Sequence, residues 1–75
     1  MDKTHENTWS VESPGVLRLD GTPFTVMWDE GAESNCARWL VRRNGNEFEF
    51  FYRLKRSKRC AEKYAAELRE VGLLD

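Results

Sequence analysis

Cysteine and histidine are nearly missing from this 75-residue chain: Cys36, Cys60 and His5 are all it has. Two cysteines are too few for a disulfide scaffold, and the three residues are not spaced as a zinc site. No structural metal and no cofactor are expected. Long apolar runs are lacking as well, and no basic start leads into an apolar stretch. A membrane span and a secretory leader are therefore not expected, and a cytoplasmic protein is. There is no glycine-rich phosphate loop, and neither cysteine has a basic partner of catalytic type, so no enzymatic activity is expected.

What the chain does have is charge and aromatic surface. Charged residues make up 33% of it and aromatic residues 12%. A domain of this length buries only about 60% of the surface of its unfolded chain, so one thin core is the limit. The net charge of -1 hides a division along the sequence. Residues 1–37 are acidic, with Lys3 and Arg18 against seven carboxylates, whereas residues 38–63 carry nine cations against Glu47, Glu49 and Glu62. Such a division favours two electrostatic faces.

Asn44-Gly45 is the strongest local signal, because a type I′ hairpin turn needs positive φ at two successive residues. A regular hairpin about it pairs Val41 with Phe48, Trp39 with Phe50 and Ala37 with Tyr52 on an apolar face. Its other face pairs Arg42 with Glu47, Leu40 with Glu49 and Arg38 with Phe51. Upstream, Asp20-Gly21-Thr22-Pro23 connects Val16–Leu19 to Phe24–Trp28, opposing Leu17 with Val26 and turning Thr25 and Met27 away from the core. The stretch from Asp29 to Asn35 reads as a loop. After Leu54 the apolar period becomes helical, through Cys60, Ala61, Tyr64, Ala65, Leu68 and Val71, with Ser57 as N-cap and Gly72 as terminator. The helix is expected to set Tyr64 and Leu68 against Trp39, Phe50 and Tyr52. Residues 1–13 read as a flexible arm in which Trp9 is free to dock, and residues 14–75 as one domain. The fold class is α+β: an antiparallel meander of three to four strands with one C-terminal helix across one face.

Five cations fall within seven residues, Arg53-Leu54-Lys55-Arg56-Ser57-Lys58-Arg59, at the strand-to-helix junction. Cations are locally unfavourable at a helix start, and a bound anion relieves them. This points to a phosphate-contacting site formed by Ser57, Lys58 and Arg59 together with Lys55 and Arg56, extended by Arg38, Arg42, Phe51 and Arg53.

Two resemblances meet at these residues. Ser57-Lys58-Arg59-Cys60-Ala61, followed by Ala65-Ala66, resembles the start of the last helix of a double-stranded-RNA-binding domain. That family places three antiparallel strands before the helix and grips RNA phosphates with its lysines. Residues 38–68, with a Trp strand, an Asn-Gly turn, an aromatic strand and a helix, are similar to the N-terminal DNA-binding domains of phage-type integrases. Those domains lay a sheet in the DNA major groove, which implies contact roles for Arg38, Arg42, Arg53 and Phe51.

The first functional expectation is thus a non-catalytic nucleic-acid-binding module, taking RNA or DNA through its backbone. The second is a stand-alone inhibitor or regulator of the kind phages and mobile elements direct at a host protein or ribonucleoprotein complex, anti-CRISPR proteins among them. In that reading Asp29, Glu30 and Glu33 form an acidic docking loop, with Met27, Leu40 and Phe51 as apolar anchors on the outer sheet face. Open strand edges also allow a homodimer.

Overall fold

A computed structural model describes residues 7–31 and 37–74. Five strands run in chain order: β1 (Trp9–Ser13), β2 (Val16–Leu19), β3 (Phe24–Asp29), β4 (Arg38–Arg43) and β5 (Asn46–Phe51), followed by α1 (Leu54–Glu70). They form one antiparallel sheet in the order β1-β2-β3-β4-β5, a meander with β1 and β5 at its edges. The expected α+β architecture holds, with five strands instead of three to four. The additional strand is β1, so residues 9–13 are not a flexible arm. Pro14-Gly15 is a tight turn that pairs Ser13 with Val16 and Trp9 with Leu19.

Local chemistry accounts for the other turns. Asn44 and Gly45 take φ values of 54° and 85°, the positive pair the β4–β5 hairpin requires. Between β2 and β3, the Thr22 hydroxyl donates to the Leu19 carbonyl at 2.7 Å and accepts from the Phe24 amide at 3.1 Å. Leu17 opposes Val26 as the four-residue connection predicts. At the end of α1, Gly72 at φ 81° donates to Arg69 O and Leu73 donates to Leu68 O, a left-handed termination that satisfies two helix carbonyls.

The core lies between the sheet and α1. Leu19, Phe24 and Val41 pack on Ala61 and Ala65, whose small side chains let the helix approach closely, and Trp9, Phe51, Cys60, Leu68 and Leu74 close the margins. Large side chains buried in this way contribute roughly 1.5–3 kcal/mol each. Trp9, expected to be able to dock, does so: its indole Nε1 donates to Glu62 Oε2 at 2.9 Å.

The β4–β5 register departs from the expected one. Arg43 faces Asn46 and Arg42 faces Glu47, but Val41 then faces Glu49, Leu40 faces Phe50 and Trp39 faces Phe51. Phe48 is the extra residue of a β-bulge, and beyond it every side chain of β5 changes face. Phe51 joins the core side, and Phe50 moves to the outer face with Leu40. Tyr64 accordingly packs on Phe24 and Phe48, not on Trp39, Phe50 or Tyr52.

Candidate functional site

The outer face of the sheet carries Arg18, Arg38 and Arg42, and each is employed within the fold. Arg18 is ion-paired with Glu12 and donates to Thr22 O at 3.0 Å. Arg38 reaches the Asp29 carboxylate at 3.0 Å and lies 4.8 Å from the centre of the Phe50 ring. Arg42 does not pair with its neighbour Glu47. Its guanidinium donates to Gly45 O at 3.1 and 3.4 Å and touches Met27 Sδ at 3.2 Å. Between these long side chains Thr25 and Leu40 are only 5% and 7% exposed, although no second layer of described residues covers this face. Leu40 is therefore no exposed anchor, and Phe51, packed against the core, is not one either.

Asp29 is the last residue of β3 and is equally committed. It accepts from the Gly31 amide at 3.1 Å and from Arg38. These two contacts, the amide first, hold its carboxyl below the ordinary 3.8. Glu30 is exposed and Met27 half-buried, whereas Glu33 and Cys36 lie outside the described residues.

The helix start is built differently. Arg53 is the N-cap in extended backbone, with no side-chain cap on the first-turn amides and no acidic residue in the first turn. Ser57 is not the cap: it sits one turn inside α1, fully buried, with its hydroxyl donating to Arg53 O at 3.2 Å. It is thereby removed from the set of phosphate contacts. Lys58 is turned toward β1, its Nζ 5.6 Å from the Trp9 ring centre. Arg53, Lys55, Arg56 and Arg59 remain exposed, with no ion pair among the described residues. Spacings of three and four residues bring Arg56, Arg59 and Lys63 onto one helix face.

Beside these cations β5 ends in exposed rings. Phe50 is 41% and Tyr52 63% exposed, their centres 5.8 Å apart at 77°. A depression of about 290 Å³ is walled by Phe50, Phe51, Tyr52, Arg53 and Arg56. A larger one of about 730 Å³ shares Phe51 and Arg56 with it and continues past Arg59 and Lys63. Cys60 lines the larger groove; burial, followed by the nearby Glu49 charge, raises its thiol pKa, which disfavours the thiolate. Among the described residues no cluster of three or more His, Cys, Asp and Glu side chains is placed to hold a metal, and no helix is long and apolar enough to cross a membrane.

No protein-family model, curated protein or solved structure matches the chain.

The candidate site is therefore defined by its own residues. Phe50, Tyr52 and Lys63 belong to it and were not expected there, because regular alternation assigns Phe50 and Tyr52 to the core side. One signal was present in the sequence. Phe50-Phe51-Tyr52 places three rings on successive strand positions, so at least one must turn away from the helix.

Proposed function

We propose that this protein is a non-catalytic nucleic-acid-binding module whose site is the corner between β5 and α1. The observation that carries the reading is the cluster Arg53, Lys55, Arg56 and Arg59, exposed and without carboxylate partners among the described residues, against a groove lined by aromatic rings. A polyanion supplies the counter-charge that these cations lack among the described residues, and phosphate contacts of this kind provide most of the affinity in sequence-independent binding. The sheet face contributes less than its arginine content suggests, since Arg18, Arg38 and Arg42 already have partners.

Titration against labelled RNA and DNA at about 50 and 200 mM salt tests this reading, with Arg56→Glu/Arg59→Glu as the comparison. Binding should weaken steeply with salt and be lost in the double variant. Unchanged affinity in that variant would sink it.

A protein target is the competing reading, favoured by the open edge of β5 with Phe48 and Phe50 exposed along it. The acidic loop supports it less, because Asp29 is tied to Arg38. Failure to bind any nucleic acid, with a host protein captured through β5 and released by Phe50→Glu, would favour this reading.

A further inference from the structure

We infer that the polyanion taken at the β5–α1 corner is a single strand, with an unpaired base stacked on Tyr52 and the backbone running along Arg53, Arg56, Arg59 and Lys63. This rests on the nucleic-acid reading above and narrows it. The first ground is the rings. Arg38 covers one face of Phe50, which leaves Tyr52, at 63% exposure, as the ring most open to a ligand. A base offers its face to such a ring only when it is not already stacked within a duplex, whereas a phosphate can meet a cation in either form.

The second ground is the shape of the charged surface. The two depressions adjoin at Phe51 and Arg56, so the surface leads from the Phe50–Tyr52 pair to Arg59 and Lys63, with Glu62 and Glu67 also lining the larger depression. Arg56 and Lys63 lie roughly 10 Å apart along the helix axis, which makes the cations a line and not a broad patch. A duplex presents two backbones and calls for charge on both sides of a groove. On the outer sheet face, which would have to supply the second side, Arg18 and Arg38 are held by Glu12 and Asp29 and Arg42 by Gly45 O. One line of cations beside a stacking ring matches one strand.

The test uses the full chain with fluorescein-labelled oligouridylate, oligothymidylate and a blunt RNA duplex of equal length, read by fluorescence anisotropy. Both single strands should bind at least about tenfold more tightly than the duplex. Tyr52→Leu should weaken single-strand binding about tenfold, the loss of one base stack, and leave duplex binding unchanged, while Tyr52→Phe retains the wild-type affinity. With four cations engaged, the logarithmic salt slope for a single strand should be about -3. Tyr52 is exposed, so neither variant disturbs the core. Duplex binding as tight as single-strand binding, or a neutral Tyr52→Leu, would overturn the single-strand assignment and leave the cation site standing. Absence of binding to all three probes would remove both. The uridylate and thymidylate arms separate RNA from DNA.

Discussion

The outer sheet face holds three half-exposed cations and the start of α1 five exposed or half-exposed ones, and the two regions use them in opposite ways. On the sheet, cross-strand geometry brings Arg38 opposite Asp29, and the bulged β1 edge brings Glu12 to Arg18, so charge is neutralised within the fold. At the helix start no carboxylate among the described residues pairs with the cations: the first turn has none, and Glu62, the nearest acid along α1, is bound to the Trp9 indole. The comparison teaches that cation count is a poor guide to a binding surface. What distinguishes the two regions is which charges lack an internal partner. Exposed ion pairs add little to stability, but they do occupy a guanidinium that a ligand would otherwise meet.

Four measurements break or sharpen this contrast. The largest effect is expected from Arg56→Glu/Arg59→Glu, which should lower nucleic-acid affinity by more than about a hundredfold at low salt with the thermal midpoint little changed. Removing the carboxylates that occupy the sheet arginines, by Glu12→Gln/Asp29→Asn, should release Arg18 and Arg38 and tighten binding by roughly threefold in an anisotropy titration. Arg38→Gln should alter affinity by less than about twofold and leave the salt slope unchanged; a loss equal to that at Arg56 would erase the distinction between the regions.

The fourth effect concerns stability. Asp20 accepts from the hydroxyls of Ser10 and Thr8, Asp29 from the Gly31 amide and Arg38, and both carboxyls are held below 3.8. A carboxylate whose pKa is depressed by folding stabilises the native state above its unfolded pKa and loses that contribution as pH falls through the lowered value. Urea midpoints should therefore fall between about pH 5 and pH 2, and the fall should shrink in Asp20→Asn/Asp29→Asn.

The sequence announces the meander through its turns. Asn44-Gly45, the Asp20–Pro23 connection and Gly72 each impose a backbone geometry that few alternatives satisfy, and all three act where expected. The helical stripe through Ala61, Ala65 and Leu68 was legible for the same reason: period reveals a buried face. Strand β1 was hidden because it is an edge strand with a bulge and mostly exposed side chains, so Ser10, Glu12 and Ser13 read like a tail. The bulge at Phe48 was hidden because it alters phase without altering composition, and Phe50 changed face with it. Ser57 is as good a cap residue as any by type, but α1 begins one turn earlier, with Arg53 at the cap. The cation cluster itself was visible in the sequence. Which cations stay unpaired was not, because that depends on Asp29, Glu12 and Gly45 arriving from other turns and strands.

The hydrogen bond between Trp9 and Glu62 spans 53 positions, and this sets an order in time. Each strand of the meander pairs with its sequence neighbour, so hairpins can close within microseconds of their strands meeting. The indole bond cannot close until α1 has formed and settled on the sheet. Trp9 is thus a latch that reports completion: during refolding its fluorescence should change with helix docking and not with the β1–β2 hairpin. On a ribosome, the Trp9 indole would stay unlatched from the helix, with β1 held only by its pairing to β2, until residue 62 has emerged.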